Sequence, residues 1–171
     1  MGTFVAFLRA INVGGTGILP MADLVKLCEK ARFTHVQTYI QSGNVLFTSR
    51  SGASTVKATL EKALAVKLGK PVGVHLRTSV ELDALLAANP FSAAAPNRVI
   101  VMFLDAAPTK DVLAAVKRPG GEELAVRGRE LFIHYPEGQG ASKLKVPFAD
   151  VGTGRNINTV TKLAAMAHAL D

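Results

Sequence analysis

Three polar segments carry the residue types that hold or transform a small anion. The first, Arg9-Ala10-Ile11-Asn12-Val13-Gly14-Gly15, runs from an apolar stretch into a glycine turn ahead of a helix. Backbone N–H groups in such a turn, with a helix N-terminus behind them, form an anion cradle. The same glycines serve equally in a loop that only needs positive φ. Neither the Gx₄GK[ST] loop nor the GxGxxG fingerprint is present. The second segment, Tyr39-Ile40-Gln41-Ser42-Gly43-Asn44, reads first as a hairpin turn in which Gly43 and Asn44 tolerate left-handed backbone. Gln41 and Ser42 add donors to it. The third runs from Tyr135 through Ser142 and Lys143 to Arg155, Asn156, Asn158 and Thr159. Arg155 offers a planar fork for phosphate or carboxylate, and Asn158 or Thr159 serves alternatively as a helix cap. The candidate ligand-binding set is Arg9, Asn12, Gly14, Gly15, Gln41, Ser42, Asn44, Tyr135, Ser142, Lys143, Arg155, Asn156, Asn158 and Thr159.

Other chemistries are poorly served. His35, His75, His134 and His168 stand singly, with no HxxxH, HxH or HExxH spacing, so no metal is expected. His75 and His134 fall in strand patterns, as core or edge residues. Cys28 lies on an apolar helical face, which predicts an inert thiol. Ser42 and Ser142 lack a GxSxG elbow. Glu122 and Glu123 are adjacent, so a strand would send them to opposite faces and they would not work as a pair. Tyr135, His134 and Asp105 are the candidates for metal-independent acid–base work, and nothing selects one. No cofactor is expected.

The elements that must position these residues follow from periodicity and punctuation. The apolar run 4–8 predicts a strand, and Pro20 with Asp23 opens a helix over 20–31. Strands follow at 36–40 and 45–48. Ser54 is placed to cap a helix to Leu68, which Gly69 and Pro71 end, and 71–77 is a strand. Thr78-Ser79-Val80-Glu81 is a capping box that starts a connecting helix ending before Asn89-Pro90-Phe91. Beyond it, 99–104 reads as a strand, 108–116 as a helix, 124–127 with 130–134 as a hairpin, and 159–170 as a final helix. The predicted fold is α+β: two tandem ferredoxin-like (βαββαβ) halves, residues 1–77 and 98–171, joined by a connecting helix and linker over 78–97. The second half is expected to be incomplete, its last strand missing or cryptic, with an insertion over 136–155. Gly43-Asn44-Val45-Leu46-Phe47 aligns with Gly128-Arg129-Glu130-Leu131-Phe132, and Ser54-Thr55-Val56-Lys57 with Asn158-Thr159-Val160-Thr161, which favours a duplication.

Composition sets the outer limits. A chain of 171 residues with 49% hydrophobic residues can build a core without staples, and its single cysteine permits no intramolecular disulfide. No run approaches the ~18 apolar residues of a spanning helix, and Met1-Gly2-Thr3-Phe4 does not open a signal peptide. A cytoplasmic, membrane-free protein is expected. Twenty Lys+Arg against 13 Asp+Glu give a formal charge of +7, which favours polyanionic partners. The densest basic stretch, from Arg50 to Arg77, places Lys57, Lys62 and Lys67 five residues apart. On a helix these ring the surface rather than forming a stripe, which suits a solvated helix or a nucleic-acid face.

The chain resembles the bacterial family catalogued as domain of unknown function 1697. The resemblance is carried by Leu8-Arg9-Ala10-Ile11-Asn12-Val13-Gly14-Gly15, Met21-Ala22-Asp23-Leu24, Tyr39-Ile40-Gln41-Ser42-Gly43-Asn44-Val45, Asn89-Pro90-Phe91, Tyr135-Pro136, Ser142-Lys143-Leu144 and Arg155-Asn156-Ile157-Asn158-Thr159-Val160. It implies an α+β fold on ferredoxin-like halves and brings no established activity, cofactor or catalytic residue. Ala10 replaces the family's usual glycine, which argues against a positive φ there. Thr16-Gly17 replaces a commonly basic or polar position, which weakens phosphate contact from that loop. The leading functional expectation is a protein that binds an anionic ligand, nucleic acid or a nucleotide. The alternatives are a small metal-independent enzyme acting on a phosphorylated or carboxylated metabolite, with Arg155 and Lys143 holding the anion, and a homodimeric interaction module. Phe7 and Phe47 would stack bases only if they faced solvent.

Overall fold

A computed structural model describes every residue of the chain except Thr16, and of Lys110 the backbone only. The chain divides into two compact units, one comprising Met1–Leu82 with Leu163–Asp171 and the other Asp83–Lys162. Among the described residues the architecture is α+β, with four α-helices and two four-stranded antiparallel sheets.

In the first unit β1 (Gly2–Leu8) is a central strand, paired antiparallel with β3 (Asn44–Ser49) on one side and β4 (Val74–Arg77) on the other. β2 (Thr34–Thr38) lies outside β3, giving the order β2-β3-β1-β4. Helices α1 (Met21–Lys30) and α2 (Ala53–Leu68) supply Leu24 and Cys28, and Val56, Leu60 and Leu64, all at i, i+4 spacing, to one core with Phe4, Ala6, Leu8, Val45 and Phe47. β1 is buried on its alternate face too, at Val5 and Phe7. That explains why it reads as a continuous apolar run rather than an alternation. Gly69 ends α2 in the left-handed conformation. Ser54 does not cap it: the N-cap lies two residues earlier, at Gly52, with no side-chain cap bond. Lys57 and Glu61 pair across one turn at 2.7 Å, and both reach Val74, tying α2 to β4.

The Thr78 capping box is present: Thr78 N donates to Glu81 Oε2 at 2.8 Å and Glu81 N to Thr78 Oγ1 at 3.2 Å, which opens α3 (Ser79–Ala87). In the second unit β5 (Val99–Phe103) is central, between β7 (Glu130–His134) and β8 (Thr153–Asn156), with β6 (Glu123–Arg127) outside β7. α4 (Ile157–His168) follows β8 directly.

Three expectations are corrected here. The helix over 108–116 is only a 3₁₀ turn, Lys110–Leu113. Thr109 makes no cap bond, and the apolar residues Leu113 and Val116 suffice for only a short contact with the core, too little to offset helix nucleation. The strand expected to be missing exists as β8, inside what reads as the end of the insertion, so the irregular segment stops at Gly152. Consequently Arg155 sits in a strand, and α4 begins two residues earlier than its sequence suggests.

Candidate functional site

The first two polar segments converge. Asn12 is the clasp: its Nδ2 donates to Leu19 O at 2.9 Å and to Gln41 O at 2.8 Å, its Oδ1 accepts from Leu19 N at 2.8 Å, and its own N–H donates to Gly17 O at 3.1 Å. Asn44, fully buried, donates from Nδ2 to Tyr39 O and to Ser42 Oγ, both at 3.0 Å. Arg9 N donates to Gly73 O at 2.9 Å. Both asparagine side chains therefore hold backbone in place. Gly14, Gly15 and Gly17 all have positive φ, and so do Ala10 (56°), Asn12 (55°) and Ile40 (54°). The inference from Ala10 is thus corrected: alanine occupies the left-handed region there despite its Cβ. Gly14, Gly15 and Gln41 are exposed, flanked by exposed Val13, Ile18 and Ile40. Thr16 lies outside the described residues.

The third segment separates into two places within the second unit. Tyr135, Ser142 and Lys143 line a cavity of about 150 Å³ together with Glu122. Glu122 Oε1 accepts from Ser142 Oγ at 2.7 Å and Oε2 from Gly120 N at 2.9 Å. The Ser142 hydroxyl first, and then backbone N–H groups, hold the Glu122 carboxyl below its ordinary value against the opposing effect of burial. Burial, with the Glu122 charge adding to it, pushes the Tyr135 hydroxyl up. Arg155, Asn156, Asn158 and Thr159 do not line this cavity. Arg155 is 7% exposed in β8, with Nη1 donating to Thr153 Oγ1 at 2.7 Å and Gly154 O at 2.9 Å, and burial lowers its pKa to about 10. Asn156 rather than Asn158 caps α4, accepting from Asn158 N at 2.8 Å, and its Nδ2 donates to Asn97 O at 3.2 Å. Asn158 is exposed and Thr159 half-buried in the first turn.

Glu122 and Glu123 point apart: Glu123 pairs at 3.0 Å with His134, whose ring also lies 5.7 Å from that of Phe91. Cys28 is buried, and desolvation raises its thiol to about 12, which makes it inert as a nucleophile. Among the described residues no three His, Cys, Asp or Glu side chains come together as a metal set, and no helix is long and apolar enough to cross a membrane.

Two features escape a reading of the polar motifs. One is Glu122, whose only signal is its place just before β6. The other is a groove of about 1020 Å³ between α1 and α2, lined by Lys26, Lys30, Lys62 and Lys67 against Asp23 and Glu29. Lys62 and Lys67 share this groove, whereas Lys57 is turned toward β4. The i, i+4 pair Lys26 and Lys30 on α1 was the legible half of the signal.

Acid should weaken the fold through two anchored carboxylates. Asp171 is held below its ordinary value first by the Ser79 hydroxyl, then by Thr3 and His168, and Glu122 by Ser142. A depressed folded-state pKa contributes stability that is present above the unfolded value, near pH 4, and is lost as pH falls through the folded one. The melting temperature is expected to fall below about pH 4, and the double variant Ser79→Ala, Ser142→Ala should show a flatter acid limb. Superimposable acid limbs for the two proteins would refute this.

Residues 1–132 match the model of a family described as Protein of unknown function (DUF1697). The chain belongs to that family. No curated protein matches it. Among solved structures, this DUF1697 chain is similar to the one described as the conserved bacterial protein SP0830 from Streptococcus pneumoniae, at 25% identity and a TM-score of 0.78, covering 97% of this chain and 98% of that one.

Proposed function

We propose that this DUF1697 protein binds a polyanion, with nucleic acid as the first choice, along the lysine groove between α1 and α2. The groove's composition carries the reading: four lysines face two carboxylates across two helices. Among the described residues its one ion pair, Lys67 to Asp23 at 3.5 Å, joins half-exposed side chains and is worth little in water. Recognition would go through phosphates. Phe7 and Phe47 are fully buried and offer no base platform on the first sheet. Among the residues first singled out for an anion, Arg155 is nearly buried and bound to its own strand, so it is not the test position. A nucleic-acid ligand also implies a cytoplasmic setting.

The fold reading that accompanies this is a duplicated, ferredoxin-like ancestry. The two sheets have corresponding orders, β2-β3-β1-β4 and β6-β7-β5-β8. Leu8 N donates to Gly43 O and Leu104 N to Arg129 O. Val5 pairs with Arg77, and Val101 with Arg155, so a nearly buried arginine occupies the same register of each fourth strand. These pairings align Gly43 with Arg129, one residue away from the alignment suggested by sequence. The match of 54–57 to 158–161 lends no support, because α2 precedes β4 while α4 follows β8.

The test is fluorescence anisotropy of labelled single-stranded RNA and DNA at several salt concentrations. A variant with Lys26, Lys30, Lys62 and Lys67 all changed to Gln is compared with one carrying Gln at Lys70, Lys117, Lys145 and Lys162, which has the same net charge. Each lost phosphate contact lowers the log–log salt slope by ~0.7, so the groove variant should lose up to ~2.8 and the control little. Equal losses in both variants would mean non-specific attraction and sink the proposal.

A further inference from the structure

The cavity at Glu122 has a different chemistry from the lysine groove, and it lies in the other unit. Glu122 and Tyr135 are each 3% exposed. The Tyr135 ring belongs to the core of the second unit with Leu124 and Ile133. Its hydroxyl, the polar end of a cavity-lining side chain, has no hydrogen-bond partner among the described residues. The oxygen itself is not buried and opens to the solvent of the cavity. Glu122 is bound by two neutral donors, the Ser142 hydroxyl and the Gly120 N–H, each occupying one oxygen and leaving further lone pairs. Among the described residues no basic side chain forms an ion pair with it. A carboxylate with little exposure and no counter-ion, lining a cavity together with a hydroxyl that opens into it, is complementary to a cation that carries N–H donors.

We propose that this cavity binds the protonated amino group of a small organic cation, with Glu122 as its counter-ion and the Tyr135 hydroxyl as a second hydrogen-bond partner. The faces of Pro119 and Pro136 take the carbon chain. A cavity of about 150 Å³ accommodates a ligand of about six heavy atoms, the scale of a short alkylamine. Lys143 and Glu137 are both exposed at the lining, so their opposite charges leave the sign of the interior to Glu122.

The probe is n-butylammonium, titrated into the full ¹⁵N-labelled chain while the amide signals of Gly120, Gly138 and Ser142 are followed, with butyrate and n-butanol as matched controls. Saturable shifts in the millimolar range are expected for the ammonium alone. Tyr135→Phe should weaken binding about fivefold with no loss of fold, because the hydroxyl it removes has no protein partner. Glu122→Gln should weaken it by about tenfold or more. If Glu122→Gln fails to fold, Tyr135→Phe decides alone. Unchanged affinity in Tyr135→Phe overturns the proposal. So does butyrate or butanol matching the ammonium, or the absence of saturable shifts. None of these outcomes bears on the nucleic-acid titration, so the two readings stand or fall separately.

Discussion

Replacing Phe47 with alanine is expected to lower the unfolding free energy by about 3–5 kcal/mol. Phe47 is fully buried in β3, opposite Phe4 of β1, and its ring stacks on Phe33 at 4.4 Å with planes 7° apart. Phe4 closes the other side at 6.1 Å, tilted by 37°. Removal of the ring deletes both aromatic contacts, each worth about 0.5–1.5 kcal/mol beyond the area buried. It also opens a void between the sheet and helices α1 and α2, whose Cys28, Leu60 and Leu64 belong to the same core. The surrounding strands are hydrogen-bonded on both sides of β1 and cannot collapse into that space. Phe47→Leu keeps most of the volume and should cost about half as much. With no tryptophan and two tyrosines, the measurement is urea unfolding followed by far-ultraviolet circular dichroism. A loss under about 1 kcal/mol would show that the Phe4–Phe33–Phe47 trio is not the anchor of the first unit.

What the sequence made legible depended on whether local chemistry decided the structure. The capping box at Thr78, the left-handed stop at Gly69 and the hairpin over 124–134 are each set by a few neighbouring residues, and each could be read. β8 could not. Thr153-Gly154-Arg155-Asn156 has no apolar alternation, and its inward positions are a threonine and an arginine, hydrogen-bonded to each other. Only pairing with β5 makes it a strand. The 3₁₀ turn at Lys110–Leu113 failed in the opposite way, since a helical pattern was present but too short to bury enough. The same division holds for the sites. In the convergence of 9–19 with 39–44, strand pairing brings Leu8 to Gly43, and the fastening beyond it uses Asn12, which identity alone could not place between Leu19 and Gln41. The lysine groove and the Glu122–Tyr135 cavity each join residues more than ten positions apart, where only the fold supplies the distance.

The loop held by Asn12 offers a series that separates backbone strain from steric clash. A Cβ added at Gly17 would lie 2.6 Å from the Ala10 carbonyl oxygen, and Gly17 has φ +61°. Gly14 has nearly the same φ, +59°, with nothing within 4 Å of the added Cβ among the described residues. Gly14→Ala should therefore report the left-handed penalty alone, about 1–2 kcal/mol, reduced by the smaller entropy of the unfolded chain. Gly17→Ala adds a clash with backbone, which cannot turn aside as a side chain would, and should cost about 2–4 kcal/mol in all. The clash falls on Ala10, itself at φ 56°, so the strained residue and the tight contact are one feature. Ala10→Gly relieves the first without touching the second and should be neutral to stabilising by up to about 1 kcal/mol. In the double variant Ala10→Gly, Gly17→Ala, the freed backbone at position 10 can move its carbonyl away, so part of the Gly17→Ala loss should be recovered. Urea midpoints for the four variants measure all of this. Strict additivity in the double variant, or a Gly17→Ala loss no larger than that of Gly14→Ala, would mean that the Ala10 carbonyl does not fix the loop, and that Asn12 holds it through its side-chain bonds alone.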